Sequence, residues 1–449
     1  MSRKYFGTDG VRGPYGSDIM NESFAWRLGA AAARFALAKG AKTGASVIIG
    51  RDTRASGASL EHALAGGLAS AGLKPVSAGV VPTPAVSLAV RLEQAVLGVV
   101  ITASHNPASD NGIKFFGPSG IKLSDDQELC IEQLMPPVAP AGAENASFTP
   151  AFLDASSLYK KTVTSLVPMI KLQGWKIVLD TANGAACATS RDVLTQLGAE
   201  LLLLGNQPDG TNINAGVGSQ HPEKMAAAVR ASGARLGVAH DGDADRCILC
   251  DELGEVLDGD EILTILALHA LNEEHLVKRT LVVTVQSNLG VDAAVQAAGG
   301  RVVRTPVGDR YVIEQMLAEG ATLGGESSGH VICADVSPTG DGLVAALKVI
   351  EVMLATGRSL SELRLGLKKF PQLSAALTVR VKKPFENLRA LPAEIKAIEA
   401  ELGAKGRVLV RYSGTEPKLR LLVEGPTDEL VRSCLDRLKR ATAADLDVL

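Results

Sequence analysis

The chain has no uninterrupted apolar run approaching the roughly 20 residues that a membrane-spanning helix requires, although 46% of its 449 residues are hydrophobic. Its opening, MSRKYFGTDGVRG, has no apolar core of the signal-peptide kind. A cytoplasmic location is expected, with no membrane partner. Neither sign of charge dominates: 46 Lys and Arg stand against 49 Asp and Glu, a net charge of −3. There is thus no global attraction to nucleic acid, and an anionic ligand needs a local basic site. Cysteine is sparse, six residues scattered at 130, 187, 247, 250, 333 and 434. That excludes a disulfide scaffold and suits reduced thiols. The C-x-x-C pair in CILC continues an apolar, strand-like run after DGDADR. Cysteines three apart on a strand face opposite sides, which favours buried bystanders over a redox or zinc pair.

What is present is a globular composition with enough chain for three to four domains. An apolar run ending in a polar loop recurs in pairs: ASVIIGRDTRASG (45–57) with LGVVITASHNP (97–107), WKIVLDTANGAA (175–186) with RLGVAHDGDADR (235–246), and TLVVTVQSNLG (280–290) with ATLGGESSGHV (321–331). Ala/Leu-rich stretches of helical spacing, such as 58–71 and 223–232, lie between them. The pattern predicts α/β architecture with three related units, whose polar loops fall at the carboxyl ends of strands, where ligands sit. The proline-rich segment 135–150 marks a first boundary or a surface loop beside one. AALTVRV (375–381) and the strand–turn–strand 406–425, followed by a helix over 427–442, predict a smaller α+β domain. The expected divisions are 1–150, 151–255, 256–368 and 369–449.

Four loops carry candidate chemistry. In DGDADR the carboxylates Asp241, Asp243 and Asp245 alternate with small residues and repel one another unless a cation sits among them; oxygen ligands suit Mg²⁺ or Ca²⁺. An EF-hand is excluded because Arg246 stands where that loop requires glycine. RYSGTEPKLR offers the hydroxyls and amides of Ser413, Gly414 and Thr415 beside Arg411, Lys418 and Arg420, a nest suited to phosphate. GGESSGH places Glu326, Ser328 and His330 after a strand, residue types that hydrogen-bond a hydroxylated ligand such as a sugar.

The fourth loop, TASHNP, sets Ser104 beside His105. It lacks the G-x-S-x-G hydrolase elbow, and adjacent Ser and His do not form a dyad. A hydroxyl near a metal-binding triad and a phosphate nest suits a phosphoryl carrier, with Ser104 joining Asp241, Asp243 and Asp245 around one ion. Lys114 is a candidate acid/base.

These stretches, with RKYFGTDGVRG, IIGRDTRASG and VGDRYV, resemble the α-D-phosphohexomutases nearly end to end. The resemblance implies three related α/β domains with mixed, mostly parallel sheets, plus a smaller C-terminal α+β domain, around a central cleft. It implies a phosphoserine at Ser104, one Mg²⁺ on the Asp triad, and Arg12, His105, Lys114 and Arg246 as active-site polar residues. Lys114 is then the leading general base and His330 a second candidate. Glu326 and Ser328 match the sugar loop; Arg411, Ser413, Gly414, Thr415 and Arg420 match the loop that grips the phosphate not being transferred. Ala244 stands where many relatives have Gly, and Tyr412 departs from the usual residue types. Ser327, where sister enzymes more often place Met, favours the branch that interconverts glucosamine 6-phosphate and glucosamine 1-phosphate, feeding UDP-N-acetylglucosamine and cell-wall precursors. The implied reaction passes through a 1,6-bisphosphate, with glucosamine or glucose 1,6-bisphosphate as activator, in a monomer or homodimer. The alternatives are a phosphomannomutase/phosphoglucomutase of the same family and a non-catalytic sugar-phosphate sensor.

Overall fold

A computed structural model of the chain describes residues 3–142, 148–167, 171–413 and 417–449. It divides into two compact units, Met1–Gln286 with Ala298–Gly366, and Ser287–Ala297 with Leu367–Leu449. The first unit contains three sheets built on one plan. In the first, the parallel strands Lys74–Val80, Ser46–Arg51 and Leu97–Ile101 are followed by Asp110–Phe116, which runs antiparallel. In the second, Glu200–Leu204, Lys176–Asp180 and Leu236–His240 are parallel and Cys247–Cys250 returns antiparallel. In the third, Arg301–Thr305, Thr280–Thr284 and Leu323–Gly325 are parallel and Val331–Cys333 returns antiparallel.

The three polar loops at 102–109, 241–246 and 326–330 each bridge the last parallel strand and the strand that reverses on it. The apolar runs behave as expected of strands covered on both faces: Leu97–Ile101, Leu236–His240 and Thr280–Thr284 are buried at every residue. Cys247 and Cys250 lie on a fully buried strand as free thiols. Helices cover the sheets. Glu22–Ala38 is capped by Asn21, whose side chain accepts from the Phe24 N–H at 2.8 Å. It presents Phe24, Leu28 and Phe35 to a core shared with Ile49, Val99 and Phe115.

The Pro-rich segment expected to mark the boundary between the first two α/β domains is described only in part; residues 143–147 lie outside the described residues. Just past it, Ala151–Phe152 pairs with Lys74–Val80 and so extends the first sheet. The second unit is an antiparallel sheet of Gln372–Thr378, Lys418–Glu424 and Arg407–Tyr412. Leu419, Leu421 and Val423 pack there on Val431, Cys434 and Leu438 of the helix Asp428–Asp445. The helix Ala390–Leu402, not among the expected elements, adds Leu391, Ile398 and Leu402 to this core. Among the described residues no helix is long and apolar enough to cross a membrane.

Candidate active site

Ser104 and the acidic loop meet although 137 positions separate Ser104 from Asp241: Ser104 Oγ donates to Asp241 Oδ2 at 2.5 Å. The approach requires glycine at 242, because a Cβ there would stand 2.6 Å from the Ser104 carbonyl oxygen. Asp241, Asp243 and Asp245 are all buried, and one carboxylate oxygen from each lies within 4.8 Å of the others. Burial, followed by the charges of Asp245 and Asp243, pushes the Asp241 carboxyl up to about 7. Asp243 Oδ1 and Asp245 Oδ1 are buried without a hydrogen-bond partner. Such a set of oxygen donors, desolvated and mutually repelling, fits a hard divalent cation such as Mg²⁺.

The cations around the triad carry its charge balance. Lys114, buried on the returning strand Asp110–Phe116, places Nζ 3.1 Å from Asp243 Oδ2, 3.6 Å from Asp245 Oδ2 and 3.0 Å from Asp9 Oδ2. Burial works against its charge, but Asp243, Asp9 and Asp245 outweigh it and raise its pKa. His105 is the converse. Burial, then the charges of Arg246 and Arg12, lowers it to about 4, so it is neutral near pH 7. Its Nδ1 accepts from Arg246 Nη1 at 3.1 Å and lies 3.4 Å from Ser104 Oγ. His330 sits with Nδ1 3.7 Å from Asp245 and Nε2 3.5 Å from Asp309. Burial opposes its protonation, yet Asp245 and Asp309 raise its pKa. The ring fits only because residue 340 is glycine, where a Cβ would fall 2.3 Å from its atoms.

Arg12 is paired to Asp9, and its Nε is buried without a hydrogen-bond partner. Glu326 Oε1 accepts from the Gly308 N–H at 3.1 Å, and burial raises its pKa. Ser328 Oγ is buried and without a hydrogen-bond partner. In the second unit, Arg411 and Arg420 stand directly opposite each other on antiparallel strands. Burial, then Arg420, lowers the Arg411 pKa. Like charges opposed across a ladder are unfavourable unless an anion joins them. Lys382 Nζ donates to the Ser413 carbonyl at 2.6 Å. Gly414 and Thr415 lie outside the described residues. Tyr412 turns to the other face of its strand, packing on Phe385 with ring centres 5.3 Å apart, and donates to the Lys383 carbonyl at 2.7 Å.

Several participants went unnoticed in the sequence. Asp9, in FGTDG, gathers Arg12, Lys114 and Lys122. Lys122 also donates to Asp309 at 2.5 Å, and Thr83 Oγ1 donates to Asp243 Oδ2 at 2.6 Å. Asp309 lies in VGDRYV, a stretch whose pattern is visible but whose residues have no role legible in the sequence. Lys122 and Thr83 carried no local signal.

The chain matches four families of phosphoglucomutase/phosphomannomutase domains: alpha/beta/alpha domain I over residues 3–138, domain II over 157–254, domain III over 258–370 and the C-terminal domain over 377–441. It is 46% identical over 445 residues to a phosphoglucosamine mutase of Cereibacter sphaeroides, with 98% of this chain and 99% of that one covered. It is 47% identical over 449 residues to a phosphoglucosamine mutase of Moorella thermoacetica, with the same coverage. Among solved structures, a phosphoglucomutase/phosphomannomutase family protein of Burkholderia thailandensis superposes with a TM-score of 0.80 at 27% identity, covering 99% of this chain and 98% of that one. Aspergillus fumigatus N-acetylphosphoglucosamine mutase, solved with GlcNAc-6P and magnesium, shares the fold at TM-score 0.69 and 17% identity, covering 98% and 95%. Three sheets of one plan, a fourth antiparallel domain and identity sustained over almost the whole length place this chain in the phosphohexomutase superfamily, where it belongs to the phosphoglucosamine mutases.

Proposed function

We propose that the chain interconverts glucosamine 6-phosphate and glucosamine 1-phosphate, with Ser104 lending a phosphoryl group and taking one back. The observation that carries this reading is the 2.5 Å contact between Ser104 Oγ and Asp241 Oδ2, inside a buried carboxylate triad. Asp241, Asp243 and Asp245 would hold Mg²⁺, with Ser104 beside them. When bound, the ion neutralises charge on the phosphoryl oxygens.

The side chains divide the remaining work. Phosphorylated Ser104 gives its group to the free hydroxyl of the sugar phosphate, producing a 1,6-bisphosphate. That intermediate turns over, and its other phosphate returns to Ser104. Lys114 is the leading general base and His330 the second. As the sugar hydroxyl attacks phosphorus its proton passes to that base, and a proton returns to the Ser104 oxygen as it departs; the second transfer runs the same exchange in reverse. Arg12 and Arg246 add positive charge where the phosphoryl group is exchanged. His105, neutral near pH 7, orients the Arg246 guanidinium by accepting from it. Glu326 and Ser328 hydrogen-bond the sugar hydroxyls. Arg411, Ser413, Gly414, Thr415 and Arg420 grip the phosphate that is not moving. Glucosamine or glucose 1,6-bisphosphate charges Ser104 at the outset.

Intact mass of the purified chain before and after exposure to the bisphosphate, read beside coupled turnover on glucosamine, glucose and mannose 6-phosphates, tests the reading. One phosphoryl group on Ser104 and the highest kcat/KM on the amino sugar are expected. Turnover by a chain that never carries phosphate on Ser104 would refute the carrier role.

A further inference from the structure

Ser104 adopts φ +52°, the left-handed region that a non-glycine residue occupies only when its surroundings impose it. The surroundings are explicit. The Ser104 N–H donates to Thr102 Oγ1 at 2.8 Å, and the Thr102 hydroxyl donates to Asp52 Oδ2 at 2.6 Å. Arg54 donates to the same carboxylate twice, from Nε and from its backbone N–H, both at 2.9 Å. Arg54 Nη2 then reaches the Ser104 carbonyl at 3.0 Å and the Asn106 carbonyl at 2.8 Å. Its Nη1 reaches the Asp110 carbonyl at 2.9 Å and the Pro107 carbonyl. All five guanidinium N–H groups are used, four of them on backbone carbonyls of one loop, and the side chain is entirely buried. From the second sheet's side, Asn214 Nδ2 donates to the same two carbonyls, Ser104 at 2.8 Å and Asn106 at 3.0 Å.

We propose that Arg54 and Asn214 are positioning residues for phosphoryl transfer. Together they fix the backbone of 104–110 in the strained form that aims Ser104 Oγ at the acidic triad. The inference rests on the carrier reading above and adds to it the part of the chain that holds the carrier in place. Arg54 also supplies the charge that keeps Asp52 in the ring. A lysine retains that charge but has three donors on a tetrahedral ammonium, and cannot serve two parallel pairs of carbonyls as the planar fork does. In-line transfer depends on placement, and a displacement of about 1 Å costs on the order of 100-fold in rate. Neither residue is expected to alter the grip on sugar or distal phosphate.

The test uses the full-length chain with Mg²⁺ and glucosamine 6-phosphate, comparing wild type with Arg54→Lys and Asn214→Gly. Glycine at 214 keeps the backbone at φ +61° while removing the amide donor. Expected are a kcat about 100-fold lower for Arg54→Lys and about 10-fold lower for Asn214→Gly, with KM within about twofold of wild type. Single-turnover loss of phosphate from Ser104 should slow by the same factors. Rates per folded molecule within twofold of wild type overturn the proposal, even if the melting temperature falls. So does a rise in KM with unchanged single-turnover rate. Should Arg54→Lys fail to fold, Asn214→Gly decides by the same criteria. A wild-type chain that carries no phosphate on Ser104 overturns the carrier reading and this inference together. A phosphorylated wild type with unaffected variants overturns this inference alone.

Discussion

Arg310 grips Glu128 with both prongs of its guanidinium, Nη1 to Oε2 at 2.9 Å and Nη2 to Oε1 at 2.6 Å, and both side chains are buried. The two residues come from segments 182 positions apart in the first unit. Arg3 joins the same carboxylate at 2.6 Å. Removing Glu128 takes both bidentate acceptors from the buried Arg310 guanidinium and leaves Asp125 as its ionic partner. Glu128→Ala is therefore expected to lower unfolding stability by about 3–5 kcal/mol. Chemical denaturation followed by circular dichroism checks this; a loss under about 1 kcal/mol would mean that solvent replaces the pair.

Ser104→Ala removes one hydroxyl from the buried site and leaves the loop's carbonyl contacts in place. Turnover is expected to fall by at least about 10⁴-fold, as for loss of a covalent group. The melting temperature should stay within a few degrees. A coupled assay and a thermal melt on the same preparation decide it, and turnover near the wild-type rate counts against the carrier.

Removing divalent metal with a chelator is expected to abolish turnover. Restoring Mg²⁺ at about 100 times its dissociation constant should add roughly 2.7 kcal/mol of stability by mass action. In Asp243→Asn, which lacks one anionic ligand, the Mg²⁺-dependent rise in melting temperature should shrink or disappear. An undiminished rise in that variant places the ion elsewhere.

Arg420→Gln removes one of two guanidinium groups facing each other across the second unit's hairpin. KM for the sugar phosphate is expected to rise about tenfold or more, from loss of a charge-assisted contact, with kcat less affected. Steady-state kinetics with unchanged KM and kcat would show that the pair does not meet the phosphate.

Asp341 caps the helix Gly342–Thr356 by accepting from the Val344 N–H at 3.0 Å, and accepts from Tyr159 Oη at 2.7 Å in a fully buried pocket. Burial raises its carboxyl to about 6, with the hydrogen bonds pulling the other way. The folded state therefore binds a proton that the unfolded chain releases near pH 4. The stability this group contributes is complete below pH 4 and is lost as pH rises through about 6. The loss is about 2–3 kcal/mol in all. Asp341→Asn should abolish that slope. Denaturation curves between pH 4 and 7 measure it, and a slope equal to wild type would refute the assignment.

Much of the fold was legible because its signals are local. Runs such as SVIIGR and LGVVI, apolar and β-branched, have few ways to bury themselves other than as covered strands. The spacing in DGDADR announces a site wherever the loop ends up. Ser104 stands out because SHNP fits no hydrolase pattern. Less visible is the reversal after each polar loop: the apolar pattern marks the strands' carboxyl ends, and only the pairing of Asp110–Phe116, Cys247–Cys250 and Val331–Cys333 shows all three loops to be returns. Arg54 and Lys122 were overlooked because a cation in a polar stretch looks alike whether it meets water or a ring of carbonyls.

By itself the sequence determined the α/β class, the three repeated units and the identity of the acidic, basic and hydroxyl groups, since periodicity and residue chemistry are properties of neighbours along the chain. Only the tertiary structure decided that Ser104 touches Asp241 across 137 positions, and that Lys114 meets carboxylates that raise its pKa while His105 meets burial and guanidinium charges that lower its own. Protonation and reach depend on which charges converge in a desolvated space, and that convergence is set by how the sheets pack.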